Sequence, residues 1–117
     1  MNKIAVVIYS KLEGAGNSAV YRAMMFVAEL LRAGDDVSLV FDGAGTTALA
    51  AMLREDHALH RVWSKAAPAL RGACRYCAKS YEVLDVLEAA PVPMLADDRG
   101  HASLRSLLLE GRQLVTF

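Results

Sequence analysis

Ile4-Ala5-Val6-Val7-Ile8-Tyr9 sets the architecture that we expect for the whole chain. The run is apolar throughout and mostly β-branched, whereas a strand with one face in water would alternate apolar and polar residues. We therefore predict a strand that is buried on both faces, as in a parallel sheet. A polar loop follows over Ser10–Gly16, and Asn17 or Ser18 is predicted to cap a helix that ends at about Ala33.

The rest of the sequence alternates between strand-like and helix-like segments in the same way. Further strands are predicted at Val37–Phe41, Leu70–Ala73, Val92–Leu95 and Gln113–Phe117. Helices are predicted at about 46–54, 57–66, 75–90 with a break near 81–82, and 101–110. Strands that alternate with helices form parallel sheets, which are covered on both faces and joined by right-handed crossovers. We therefore predict an α/β fold, in a single domain over residues 1–117.

The composition argues against several classes of protein. Thirteen acidic residues balance thirteen basic ones, so the charge gives no reason to expect a surface for nucleic acid or for a membrane. Apolar residues make up 55% of the chain, which is enough for a well-buried core and for an interface between subunits. The apolar run near the N-terminus, about six residues, is shorter than the roughly 7–15 residues of a signal-peptide core. We expect a soluble, cytoplasmic protein that self-associates.

Both cysteines of the chain lie in Gly72-Ala73-Cys74-Arg75-Tyr76-Cys77-Ala78. In a cytosolic protein such a pair is more often reactive or metal-binding than a structural disulfide. Cys74 is predicted between a strand and a helix, where backbone N–H groups and the helix dipole favour a thiolate. Arg71 and Arg75 would lower the pKa of that thiol further, and Cys77 lies one turn along the helix as a resolving thiol. The alternative is that Cys74 is an ordinary buried apolar residue.

Four predicted loops follow the first four strands, and all of them are expected at one edge of the sheet. They are Ser10–Asn17, Asp42–Thr46, Cys74–Cys77 and Asp97–His101. In open parallel sheets, ligands and chemistry gather at the carboxyl ends of the strands. The sequence therefore predicts that side chains from these loops surround the cysteines.

Two glycine-containing loops resemble phosphate-binding motifs. Gly14–Ala19 matches G-x-G-x-x-A, and Asp42 ends the next strand, as in a dinucleotide fingerprint. The first glycine does not follow the strand directly, and the chain is short for a dinucleotide domain, so a loop and helix cap is the favoured interpretation. Asp42–Thr46 could hold an anion at a helix start, but a tight turn with a capping threonine is favoured there as well.

A zinc site would need ligands besides the two cysteines. His57 and His60 supply an H-x-x-H pair, and four such ligands suffice for tetrahedral zinc. The histidines are predicted on a helix that crosses the sheet, so nothing fixes their distance from Cys74 and Cys77. We therefore predict that zinc is absent or substoichiometric.

Several segments together resemble the DsrE/DsrF-like family, which includes sulfur-relay subunits of the TusD type and the YchN-like proteins. The segments are KIAVVIYS, VSLVFDGAGT, GACRYCAKSYEV and GHASLRSLLLEGRQLVTF. The match covers nearly the whole chain. The resemblance implies a three-layer α/β/α fold with a five-stranded parallel sheet, assembled as a trimer or a hexamer.

The resemblance also implies a function. In the sulfur-relay members a cysteine at the end of the third strand carries a persulfide, and that position falls on Cys74. The chain would then be a small sulfur carrier or sulfurtransferase-like protein, with a donor or acceptor protein as partner and no cofactor. Cys77 would modulate the site or resolve the persulfide, and the residues expected to line it are Ser10, Asp42, Gly43, Tyr76 and His101. The alternatives are a dithiol switch or reductase that uses both cysteines, and a non-catalytic oligomeric binding module.

Overall fold

A five-stranded, all-parallel sheet forms the centre of the computed structural model, which describes residues 1–117. Its strands are β1 (Lys3–Ile8), β2 (Asp36–Phe41), β3 (Leu70–Cys74), β4 (Met94–Leu95) and β5 (Gln113–Thr116). They lie in the order β4-β3-β2-β1-β5. The helices are α1 (Ala15–Arg32), α2 (Gly45–Met52), α3 (His60–Ala66), α4 (Arg75–Ser80), α5 (Leu84–Ala89) and α6 (Leu104–Leu109). The predicted α/β fold with a five-stranded parallel sheet is confirmed.

Both faces of the sheet are covered, but unequally. Along β1, Ile4, Val6 and Ile8 belong to a large buried cluster with side chains from α1 to α5. Ala5 and Val7 point to the other face and join a smaller cluster, which α6 covers. Every residue of β1 after the first is buried, as its unbroken apolar run predicts. None of the helices has the length and apolar composition needed to cross a lipid bilayer.

Three predicted helix starts are wrong. The first helix begins at Ala15, because Gly14 (φ +56°) turns the chain in the left-handed region and no side chain caps the helix. The helix predicted from 57 begins at His60, after a series of turns. The helix predicted from 101 begins at Leu104, where the Ser103 hydroxyl accepts a hydrogen bond from the helix backbone. The predicted break near 81–82 is present, with Glu82 at a φ of +61°.

The register of the strands brings the loops of interest to one edge. Ile8 pairs with Phe41, and Phe41 pairs with Ala73, so β1, β2 and β3 end at nearly the same level. Cys74 pairs with Leu95 at the end of β4. The four loops that follow these strands therefore start side by side, as the strand order of a parallel sheet requires.

Candidate functional site

Cys74 is the last residue of β3 and directly precedes α4. Its side chain is fully buried and packs in the smaller apolar cluster with Val40, Ala102 and Leu107. No loop separates the strand from the helix, so the sulfur is held at the edge of the sheet by rigid elements on both sides. Cys77, in the first turn of α4, is half-buried, and neither cysteine forms a disulfide.

An imidazole completes a compact group around the two sulfurs. The Nδ1 atom of His101 lies 3.5 Å from Cys74 Sγ and 3.9 Å from Cys77 Sγ. All three atoms lie within 4.8 Å of one another. Two thiols and an imidazole at these distances can exchange a proton, form a disulfide or bind a soft metal ion.

The Asp42 carboxylate anchors the outer thiol. Cys77 Sγ donates a hydrogen bond to Asp42 Oδ1 at 3.4 Å, and the Gly43 N–H donates to the same oxygen at 2.8 Å. Burial raises the pKa of the Cys77 thiol to about 12, and hydrogen bonds to Cys74 and Asp42 add to the rise, while the Gly43 N–H opposes it. Cys77 therefore keeps its proton at neutral pH.

His101 is positioned by its own loop and by α4. Its backbone pairs with that of Asp98 through two hydrogen bonds of 2.8 and 2.9 Å. The ring packs against Tyr76, with centroids 4.2 Å apart and planes 30° apart. The N–H of Tyr76 donates to Gly100 O at 3.0 Å, so α4 and the histidine loop are joined. The sequence placed His101 on a helix, whereas it lies in an extended turn before α6.

That hydrogen bond engages one of the backbone N–H groups that were expected to stabilise a thiolate at Cys74. The Tyr76 N–H, in the first turn of α4, is bonded to Gly100 and is not free for the sulfur. Arg71 forms an ion pair with Glu110, and Arg75 is exposed. The group observed beside Cys74 is the His101 imidazole, which comes from the loop after β4.

Tyr9 is a member of this neighbourhood that the sequence analysis did not single out. Burial raises the pKa of its phenol, and the nearby Asp42 carboxylate raises it further. Both cysteines contribute smaller effects in the same direction. Tyr9 directly follows β1. The expectation that residues after the strands lie at this edge of the sheet could therefore have identified it.

Most of the predicted lining residues meet around the cysteines, but Ser10 does not. Asp42, Gly43, Tyr76 and His101 are in contact with the cysteines or with one another. Ser10 borders a separate cleft of about 380 Å³ with residues of the first loop and Tyr81. A second cleft, of about 440 Å³, is lined by Asp42 and His101 together with the rest of the loop after β4 and the start of α6.

The other two histidines have local roles. His60 Nδ1 lies 2.8 Å from Met52 O, and His57 Nδ1 accepts the N–H of Leu59 at 3.0 Å. The first contact links α3 to the end of α2, and the second lies within the turn between these helices. The group of side chains whose donor atoms could hold a metal ion is Cys74, Cys77 and His101.

Comparison with known proteins identifies the fold alone. No protein-family model matches the chain, and no curated protein matches it. Its fold is similar to that of a conserved protein of unknown function, BT1422 of Bacteroides thetaiotaomicron, with a TM-score of 0.69. The likeness spans 98% of this chain and 95% of the other, at 11% sequence identity. The resemblance to the DsrE/DsrF-like proteins therefore stays a hypothesis.

Proposed function

We propose that this chain carries sulfane sulfur as a persulfide on Cys74 and transfers it between thiols. The observation that carries the proposal is the 3.5 Å approach of His101 Nδ1 to Cys74 Sγ. A thiolate is the nucleophile in sulfur transfer, and a neighbouring imidazole is a common means of generating one. The sequence resemblance to sulfur-relay proteins at Cys74 supports the same role.

The two cysteines have different tasks in this proposal. His101 accepts the proton of Cys74, which becomes the nucleophile. Cys77 retains its proton, because burial and the Asp42 carboxylate raise its pKa to about 12. It therefore stays protonated beside Cys74, with its hydrogen bond donated to Asp42, and is a poor nucleophile in the resting state.

The chemistry requires no cofactor. The Cys74 thiolate attacks the outer sulfur of a donor persulfide, R–S–SH; a new S–S bond forms, the old one breaks, and the donor leaves as the thiolate R–S⁻. Cys74 then bears –S–SH. An acceptor thiolate attacks that outer sulfur in turn, takes it as its own persulfide, and returns Cys74 to the thiolate. Each transfer exchanges one S–S bond for another, so no external oxidant or reductant is consumed.

The burial of Cys74 restricts how a donor reaches it. Its sulfur is fully buried, whereas Cys77 and His101 are both partly exposed. A donor therefore approaches past these two side chains, from the cleft that Asp42 and His101 line. The added sulfur lies about 2 Å from Sγ, the length of an S–S bond, which moves the reactive atom outward from the core.

The test is the intact mass of reduced protein after incubation with glutathione persulfide in the presence of a chelator. We expect wild type and Cys77→Ser to gain one sulfur atom and Cys74→Ser to gain none. His101→Gln should slow loading by about 100-fold, the lower range for loss of a general base. Equal loading of Cys74→Ser and wild type, or no loading of any form, would refute the proposal.

A dithiol switch is the second candidate, and the proximity of the sulfurs favours it. The two Sγ atoms lie within 4.8 Å of each other, and rotation of the half-buried Cys77 side chain can bring them to the bonding distance of about 2.05 Å. In that case mild oxidation removes two hydrogens from wild type and from neither single cysteine variant. The same mass measurement separates this outcome from sulfur loading.

Self-association as a trimer or hexamer remains a further part of the proposal. Leu108 and Leu109 of α6 are 55% and 68% exposed, next to the edge strand β5. Burying such residues against another subunit is favourable. A monomer in light scattering at micromolar concentration would contradict the expectation and weaken the family resemblance.

A further inference from the structure

We propose that Cys74, Cys77 and His101 form a binding site for Zn²⁺ or a similar thiophilic ion. The proposal does not depend on persulfide chemistry, since it rests on the positions of the three donor atoms. It departs from the sequence-based prediction that zinc is absent or substoichiometric, which considered His57 and His60 as the further ligands and not His101. Those two histidines are engaged between α2 and α3.

The distances match the edges of a tetrahedral zinc site. With Zn–S bonds of about 2.3 Å and a Zn–N bond of about 2.05 Å, a tetrahedral angle places sulfur and nitrogen about 3.6 Å apart. The observed distances from His101 Nδ1 are 3.5 Å to Cys74 Sγ and 3.9 Å to Cys77 Sγ. Two sulfurs on one zinc should be about 3.8 Å apart, and the observed separation is within 4.8 Å. Side-chain adjustments of a few tenths of an ångström to about 1 Å complete the geometry.

The ligands are held by structure that is already in place. Cys74 ends β3 and Cys77 lies in the first turn of α4, with the spacing of C-x-x-C metal sites. His101 is fixed by its backbone pairing with Asp98 and by the ring of Tyr76. The site therefore loses little conformational freedom when a metal binds, which favours affinity.

Charge and burial favour the bound state as well. Binding of a divalent ion releases two protons from the group formed by Cys74, Cys77 and His101, so that two thiolates neutralise the metal and the imidazole binds in its neutral form. An electrically neutral cluster suits the apolar surroundings of Cys74 better than an isolated thiolate does. One tetrahedral position is left for a fourth ligand, and a water molecule there keeps the cluster neutral.

Cobalt is the probe for the test, because tetrahedral Co²⁺ bound by thiolate has visible bands and a near-ultraviolet charge-transfer band. Reduced, chelator-treated protein is titrated with Co²⁺ and then with Zn²⁺. We expect one Co²⁺ per chain, loss of the bands when Zn²⁺ displaces it, and release of two protons per metal bound. Removal of an outer-shell group from a zinc site typically weakens binding 10–100-fold. Loss of a ligand itself should have a larger effect than that. We therefore expect Co²⁺ binding to be weakened by about 100-fold or more in each of Cys74→Ser, Cys77→Ser and His101→Asn.

His60→Asn is the matched control, since it changes a histidine outside the cluster and should bind Co²⁺ as wild type does. Far-UV circular dichroism checks that each variant is folded, and Cys77→Ser changes a single atom at a half-buried position. Absence of tetrahedral cobalt bands in wild type, or wild-type affinity in both Cys77→Ser and His101→Asn, would overturn the proposal. The titration uses no sulfur donor and the mass assay contains a chelator, so either proposal can fail while the other holds.

Discussion

Replacement of Gly45 by alanine should lower the free energy of unfolding by about 1–3 kcal/mol. Gly45 is buried at the start of α2, and a Cβ on it would lie 2.7 Å from the carbonyl carbon of Ile8 and closer still to the oxygen. Ordinary contacts between carbon atoms are about 3.5–4.0 Å, so the two groups would be at least about 0.8 Å too close. Ile8 belongs to β1, which is paired on both sides and cannot withdraw.

The start of α2 must therefore move, and three effects set the magnitude. Forcing extra volume into a packed site costs about 1–3 kcal/mol. The same movement stretches the hydrogen bond from the Asp42 N–H to Ile8 O, now 2.9 Å long, at a cost of about 1 kcal/mol. Alanine has the better helix propensity and offsets up to about 1 kcal/mol. The steric effect outweighs the gain in propensity.

Urea denaturation followed by far-UV circular dichroism measures the change. With a slope of about 2 kcal/mol per molar urea, the midpoint should fall by about 1 M. Gly111→Ala is the control, because its φ of +83° imposes conformational strain of about 1–2 kcal/mol but no atom lies in the way of the new methyl group. An unchanged midpoint for Gly45→Ala would refute the steric argument.

Three further predictions concern other parts of the fold. Hydrogen bonds from Arg71 and a second arginine hold the pKa of Glu110 at about 2, below its ordinary value of 4.5. The ionised carboxylate of Glu110 therefore stabilises the fold above pH 4.5, and this stabilisation is lost as the pH falls toward 2. Glu110→Gln should flatten that part of the curve of stability against pH. Leu87→Ala, at a fully buried site, should lower the free energy of unfolding by about 2–5 kcal/mol in urea, whereas Val86→Ala, at a neighbouring site that is 53% exposed, should change it by less than about 0.5 kcal/mol. Ser103→Ala removes the cap of α6 and should cost about 1 kcal/mol in thermal denaturation.

The fold was predictable because its strongest signals are local. The unbroken apolar run of β1 and the regular alternation of strand and helix depend on neighbouring residues, and they give the parallel sheet directly. The helix starts were less predictable, since several residues near each start can act as caps. The sequence favours a start of α6 at His101, whereas the hydroxyl of Ser103 caps the helix; the backbone pairing of His101 with Asp98, which excludes His101 from the helix, is a feature of the folded loop.

The site was predictable in its location but not in its contacts. The rule for strand ends indicated correctly that the loops containing Asp42, Cys74 and His101 lie at one edge. It could not indicate which group faces Cys74, because that depends on side-chain directions across three loops. Arg71, adjacent in sequence, is bound to Glu110, while His101, 27 residues away, supplies the nitrogen 3.5 Å from the sulfur.

Sulfur transfer, dithiol oxidation and metal binding all use the sulfur of Cys74, so loss of Cys74 cannot separate them. They differ in the task of Cys77: it is a protonated neighbour in the first, a bonding partner in the second and a ligand in the third. Its present contacts, to Asp42 at 3.4 Å and to His101 at 3.9 Å, are compatible with each task but commit it to none. Cys77→Ser retains a hydrogen-bond donor at the same position and removes the sulfur. It should therefore preserve persulfide loading, abolish disulfide formation and weaken metal binding, so that this one variant assigns the chemistry of the site.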